Sequence, residues 1–445
     1  MEKRESSLEK EINFVYEIFS EKSKNKEVLI ISHFDTDGIS SAAIMIQALK
    51  EIDKRFSVKI VKSLEEEFIY TLPKEKIILF LDLGSGILNY LKKAGLKDVF
   101  IIDHHEIAQE IPEGVYMLNS ELCSDQQISA SCLTYLFCKK ISPENKKFAK
   151  LAVLGMIGDT LEKEIEKINN GILEEGEIKR KRGLLIYPST RPLNRVLEYS
   201  SYPYIPEVTG NPQGVLELLR EVNIKTDGGK CKSLIELDEE EMQRLITAIM
   251  LRNPQVKTKE IMGDIFLIKF FNKLEDAREL SAKINACSKY GESEIALLLC
   301  MEVNRAKKIA DSLHIKYRQN ILSALKIVSK IEKISGKGFV IINAKDQIQD
   351  TIIGTVTSIL SNSAIYEEGT IIATLAQYEK KIKVSARTVG KNGRNVREIL
   401  ARVIDTVGGE IGGHEFAAGC LIFSEKEQEF IDTLKKNLEI EVIKI

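Results

Sequence analysis

At 445 residues the chain is long enough for two or three domains, each with its own core. Its 44% hydrophobic and 29% charged residues are those of an ordinary globular protein. No apolar run approaches the ~18 residues of a membrane helix, and the opening MEKRESSLEKE lacks the apolar centre of a secretion signal. Neither a membrane role nor secretion is therefore expected, and the cytoplasm is the expected compartment. A balance of 64 basic against 66 acidic residues excludes a broadly basic nucleic-acid coat protein but leaves room for a local basic groove. Seven cysteines without a C-x-x-C pair fit buried thiols in a reducing compartment better than a zinc site.

In chain order, residues 1–24 form a charged amphipathic helix. A buried strand follows at Val28–His33, then a helix from about Ile39 to Ile52. Strands are expected near Val58–Val61, Lys76–Leu81, Val99–Ile102 and Val115–Leu118, with a helix between the third and fourth. Ser129–Ile141 and Asn145–Ile157 are helical in pattern. This alternation predicts an α/β fold with an N-terminal doubly wound, mostly parallel sheet.

The stretch 176–212 holds five of the nine prolines and so is not regular throughout. It carries Lys179, Arg180, Lys181, Arg182, Arg191 and Arg195 among Tyr187, Tyr199, Tyr202 and Tyr204. Such a mixture either grips a single nucleic-acid strand by charge and stacking or is a solvated loop pinned by its tyrosines. From 236 to 333 the pattern is mainly helical. It ends in a run around Asn304–Lys333 that would span roughly 45 Å and connect two domains. After Gly336 a smaller C-terminal α/β domain is expected. It comprises strand Phe339–Asn343, a helix near Ile348–Leu360, strands Thr370–Gln377 and Lys381–Arg387, helix Val396–Asp405 and a Gly-rich turn.

Four segments carry chemistry. VLIISHFDTDG ends a strand with His33, Asp35 and Asp37; if the chain stays extended there, a period of two puts all three on one face. IILFLDLG ends the next apolar strand with Asp82, and VFIIDHH a third with Asp103, His104 and His105. Sites in open parallel sheets form beyond the carboxyl ends of strands, so these residues should converge. Asp159, in LGMIGDT, is positioned to join them. Each residue alone reads as a cap, turn former or satisfied histidine. Three of the chain's five histidines nevertheless fall in these segments. Imidazole with carboxylate and no thiolate suits Mn²⁺ and leaves room for Mg²⁺. The four carboxylates of Asp35, Asp37, Asp82 and Asp159 would balance two divalent ions.

In this order and spacing, HFDTDG, DLG, DHH and GD resemble the four motifs of the DHH phosphoesterase family, archaeal RecJ-like nucleases in particular. GGEIGGHEFAAG resembles the G-G-H-x-x-A-A-G signature of the DHHA1 domain, and KVSAR its S-x-R strand. LSAKINACSKYGESEIALLLC is similar to the linker helices of archaeal RecJ-like proteins, whereas 160–270 matches only loosely. The resemblance implies that His33, Asp35 and Asp82 hold one ion. Asp37, Asp82, His104 and Asp159 would hold the other, with Asp82 bridging. It further implies that Asp103 orients a ligand, that His105 meets the scissile phosphate, and that Ser385, Arg387, Gly412, Gly413 and His414 bind substrate.

The domains implied are 1–165 (DHH), 166–335 (insertion and helical linker) and 336–445 (DHHA1). The activity implied is a two-metal exonuclease releasing mononucleotides from single-stranded DNA or RNA in replication or repair. The alternatives are a phosphodiesterase for dinucleotides or nanoRNA and an interaction subunit of the replication complex, with GINS-like factors as partners. No ligand position is substituted, which argues against a catalytically inactive relative.

Overall fold

The structure, a computed structural model, describes residues 2–440 apart from 108, 164, 201–202, 225, 228–229, 255–260, 364 and 391. It divides into two compact units, each built from two stretches of chain: Met1–Gly183 with Gly263–His314, and Leu184–Met262 with Ile315–Ile445. The expected segment 166–335 is thus shared between them. As predicted, the architecture is mixed α/β, with an N-terminal parallel sheet, helical segments and a smaller C-terminal α/β fold.

In the first unit, strands β1 (Val28–His33), β2 (Phe56–Val61), β3 (Ile77–Leu81), β4 (Val99–Asp103) and β5 (Val115–Asn119) form one sheet, ordered β2-β1-β3-β4-β5. All four pairings are parallel. β3 and β4 are buried along their whole length because the sheet is covered on both faces. Val28, Ile30, Leu79, Leu81, Phe100 and Ile102 enter one core with α1 (Glu2–Ser23), α2 (Thr36–Glu51), α6 (Ala130–Ile141) and α7 (Ala149–Gly158). The alternate residues Ile31, Ile78, Phe80, Val99 and Ile101 enter another, with Leu88 and Leu91 of helix α4 (Leu88–Ala94). Between α2 and α4 lies the short helix α3 (Glu66–Tyr70), and α5 (Ser120–Cys123) follows β5.

Several expectations need correction. The chain does not stay extended through H-x-D-x-D. Asp35 is the N-cap of α2, its carboxylate accepting from Gly38 N at 3.0 Å, and Asp37 lies in the first helical turn. α7 begins only at Ala149, after the 3₁₀ turn Pro143–Phe148. Lys179–Arg182 is no loop but belongs to strand β6 (Lys179–Leu184), at the edge of a three-stranded sheet with Met262–Phe270 and Lys273–Asp276. These four basic residues fall in the first unit, whereas Tyr187, Tyr199 and Tyr204 fall in the second; Tyr202 is outside the described residues. The basic and aromatic residues of this stretch are thus divided between the two units, with Arg191 and Arg195 on the side of the tyrosines.

The hairpin Met262–Phe270/Lys273–Asp276 interrupts the stretch expected to be helical, which resumes at Ala277–Lys289, Ser293–Cys300 and Asn304–Lys330. The last of these helices starts in the first unit and ends in the second.

In the second unit, Leu193–Glu198, Pro212–Glu221 and Glu239–Arg252 are helical, and two-residue strands pair at Thr226–Asp227 and Lys230–Cys231. The larger sheet runs Ile334–Gly336, Phe339–Asn343, Ile371–Tyr378, Lys381–Thr388, Ala417–Phe423, Glu410–His414. Val396–Val407 and Glu427–Glu439 pack their apolar faces on it. The expected Gly-rich turn is the edge strand Glu410–His414. All seven cysteines are buried and free, and no helix among the described residues is long and apolar enough to cross a membrane.

Candidate metal centre

The loops after β1, β3 and β4 and the end of α7 bring six ligand-type side chains together. His33 Nδ1 lies 2.9 Å from Asp35 Oδ2 and 3.3 Å from Asp82 Oδ2. His104 Nε2 lies 3.3 Å from Asp82 Oδ1, 3.4 Å from Asp159 Oδ2 and 3.9 Å from Asp37 Oδ2. Two groups, His33–Asp35–Asp82 and Asp37–His104–Asp159, each have ligand atoms within 4.8 Å of one another, and Asp82 also groups with His104 and His105. Asp82 faces both histidines with its two oxygens.

Local backbone chemistry explains the convergence. Asp82 has φ +59, turning its side chain at the end of β3, and its N–H donates to the Ile102 carbonyl at 2.9 Å. Gly38 is required where it stands, since a Cβ there would meet the His33 carbonyl oxygen at 2.3 Å. Asp37 is fully buried and accepts from Ala130 N at 2.7 Å and Ser131 N at 3.0 Å, the open donors at the start of α6.

Asp103 is equally buried and points away from this group. It accepts from Ser85 N at 3.0 Å, Ser85 Oγ at 2.7 Å and His104 N at 2.8 Å, and pairs with His105 Nδ1 at 2.7 Å. Asn119, ending β5, donates to Ser85 Oγ at 3.1 Å and to the His105 carbonyl at 2.9 Å. Sequence reading missed Ser85 and Asn119. Their only signal was a place just past or at the end of a buried strand, which Asn119 shares with the ligands.

Electrostatics indicate a cation. Burial, then the charges of Asp37 and Asp35, push Asp82 up to about 7. Burial and the same carboxylates push Asp159 far higher. Burial alone would lower the histidines, yet Asp35 and Asp82 raise His33 to about 10, and Asp82 with Asp37 raises His104 to about 9. Burial would raise Asp35 and Asp103; instead His33 holds Asp35 at about 2, and His105 with Ser85 holds Asp103 well below the carboxylate range. Asp159 Oδ2 is buried with no hydrogen-bond partner among the described residues. Crowded carboxylates, an orphaned buried oxygen and an imidazole-carboxylate donor set all fit divalent metal ions. A cavity of about 360 Å³ lined by Leu8, Leu136 and Ile172 lies elsewhere, and its Lys139 and Lys140 are already paired with Glu175 and Glu9. The chemistry lies with the charges.

The substrate-type residues lie in the second unit. Ser385 is buried on Lys381–Thr388. Arg387, on the same strand, donates from Nε to Ser358 Oγ at 3.3 Å and from Nη1 to the Ala386 and Ala418 carbonyls at 2.8 and 3.3 Å; burial lowers its pKa. Gly412, Gly413 and His414 are exposed on the edge strand, paired with Gly419, Ala418 and Ala417. Gly413, at φ +118, has no space for a side chain: a Cβ would meet Ala417 O and Ala418 Cα at 2.5 Å.

Comparison with known proteins places these features. The DHH family N-terminal domain matches residues 27–156, the DHHA1 domain 327–439 and the DHH-CID domain 186–261. The last covers a stretch whose sequence resemblance was only loose. An uncharacterized protein of Methanocaldococcus jannaschii is 26% identical over 95% of this chain and 96% of its own. RecJ of Thermus thermophilus in complex with Mn²⁺ superposes with a TM-score of 0.61 at 16% identity, covering 98% of this chain. The present chain spans 55% of the length of that RecJ, which has also been solved with Mg²⁺. CDC45 from Entamoeba histolytica superposes with a TM-score of 0.69 at 10% identity, covering 97% of this chain and 99% of its own. At these identities the likenesses to solved structures establish the fold. With the DHH N-terminal, DHH-CID and DHHA1 domains matched in order along the chain, the protein belongs to the DHH/DHHA1 family.

Proposed function

We propose that this protein is a metal-dependent phosphodiesterase that releases mononucleotides from single-stranded DNA or RNA, in replication or repair. The observation that carries the reading is the meeting of His33, Asp35, Asp37, Asp82, His104 and Asp159 around shared Asp82. In this reading His33, Asp35 and Asp82 hold one divalent ion, and Asp37, Asp82, His104 and Asp159 a second. When bound, two such ions, Mn²⁺ in preference and Mg²⁺ otherwise, supply Lewis acidity and a nucleophile from water near neutral pH.

The chain's own residues do the rest. Asp103 holds His105 through its Nδ1, leaving Nε2 to donate to a non-bridging phosphate oxygen. The hydrogen bond to Asp103 raises the His105 pKa, which favours the donating form. Ser385 and Arg387 grip substrate phosphate. Gly412 and Gly413 offer backbone that a phosphate can approach closely, with His414 beside them. Lys179 and Arg182, exposed on β6, attract the strand by charge.

The reading is tested by digesting DNA and RNA oligonucleotides labelled at either end, a blunt duplex and a dinucleotide, with Mn²⁺ present. Stepwise mononucleotides from single strands, with the duplex resisting, is the expected result. Cleavage of dinucleotides far faster than of longer strands would replace it with the small-molecule activity. Retained binding to GINS-like replication factors without hydrolysis would replace it with the interaction role.

A further inference from the structure

Thr36 separates Asp35 from Asp37 and is 1% exposed. Its N–H is one of the donors that the first turn of a helix leaves without an intrahelical acceptor. The acceptor comes from 249 residues further along the chain: Asn285 Oδ1, at 3.1 Å. The Thr36 hydroxyl donates to the Ser281 carbonyl at 3.0 Å, and Ser281 Oγ lies 3.3 Å from the same hydroxyl. Thr36 is also pressed against Gly158, where a Cβ would stand 2.8 Å from Thr36 Cβ. Asp159 is the next residue. One threonine therefore touches the helix Ala277–Lys289, the aspartates on either side of it, and the support of a third ligand candidate, Asp159.

We infer that Ala277–Lys289 completes the metal centre, with Asn285 and Ser281 as positioning residues acting through Thr36. The inference rests on the metal-binding reading proposed above. Asp35 has two tasks: Oδ1 caps Gly38 N at 3.0 Å, and Oδ2 faces His33 at 2.9 Å. Because Asn285 takes the Thr36 N–H, the Asp35 carboxylate need not turn toward it, and Oδ2 stays available to a cation. Remove the acceptor, and a buried donor is left unsatisfied beside a carboxylate able to capture it. The segment matched by the DHH N-terminal domain, 27–156, thus lacks part of its own metal support.

The test uses the full chain, stripped with chelator and titrated calorimetrically with Mn²⁺. Asn285→Leu keeps size but removes the acceptor, and should weaken Mn²⁺ binding by about 10–100-fold, the usual effect of losing a residue that orients a metal ligand. Asn285→Asp restores an acceptor oxygen and should return affinity to the wild-type value. A merely structural role would lower the melting temperature of Asn285→Leu and leave its Mn²⁺ affinity unchanged. If that variant fails to fold, Thr36→Val against Thr36→Ser repeats the comparison at the hydroxyl bond to Ser281. Mn²⁺ binding by the Leu and Val variants as tight as wild type overturns the inference while the metal centre stands. A wild-type chain that binds no Mn²⁺ overturns both.

Discussion

The two sets of proposed functional residues are built on opposite principles. Around Asp82, charged side chains are packed into the protein before any ligand arrives, held by backbone donors and by one another. Around Gly412–His414 the elements are exposed backbone and a single imidazole on an edge strand. Arg387 stands between these extremes, half-buried and anchored by two carbonyls. Buried like charges need a counter-ion or bound protons, which is the environment the proposed metal ions would meet in the first region. The second can accept a group of variable shape, as substrate handling requires.

The comparison breaks most visibly at Asp82. Asp82→Ala removes the carboxylate facing both histidines, and activity should fall to that of chelator-treated protein while oligonucleotide binding through the second unit persists. Assays of hydrolysis and of binding, run side by side, check this. Loss of binding as large as the loss of hydrolysis would mean that the two regions do not divide the work as proposed.

Proton release comes next in size. In the metal-free chain Asp82 at about 7, His104 at about 9 and His33 at about 10 hold protons that ligation must displace. Apparent Mn²⁺ affinity should therefore rise between about pH 6 and pH 9, by about tenfold per unit for each proton released. Stability of the metal-free chain should move the other way. The raised Asp82 keeps its proton in the folded state, so stability falls as pH rises from about 4 to about 7. The histidines contribute stability that is full below about pH 6.5 and lost through about 9 and about 10. Denaturant unfolding across pH, with and without Mn²⁺, reads both trends, and a flat metal-free profile would contradict them.

Arg387→Ala should weaken substrate binding by about 1.5–3 kcal/mol, as for a hydrogen bond to a charged group, with Mn²⁺ affinity unchanged. A collapse of Mn²⁺ binding would put Arg387 in the wrong role. The smallest effect belongs to β6. Lys179→Gln with Arg182→Gln should reduce the slope of log binding constant against log salt by about 1.4 on single strands, leaving dinucleotide hydrolysis intact. An unchanged slope would return these residues to a solvated edge.

Sequence legibility follows the same division. β1, β3 and β4 were readable because short apolar runs end abruptly in acidic or imidazole residues, and the crevice beyond such strands follows from parallel topology. The route of the first ligands is not legible in the sequence, because alternation at 33, 35 and 37 suits an extended chain as well as a helix start. The Asp35 cap decided between them. The hairpin after Met262 was hidden twice over. Its strand carries a continuous buried run that a buried helix could also show. Its two-residue turn places Phe271 and Asn272 at positive φ without a glycine to announce it. Asn285 was out of reach for another reason: no local pattern pairs residues 249 apart.

The central claim, that the Asp82 cluster is a metal centre for phosphodiester hydrolysis, is tested most directly by metal depletion. The purified protein is stripped with chelator, and mononucleotide release from a labelled single strand is followed before and after Mn²⁺ is returned. The expected result is no release from the stripped protein and recovery as Mn²⁺ saturates the site. Full release from protein shown to be free of metal would contradict it.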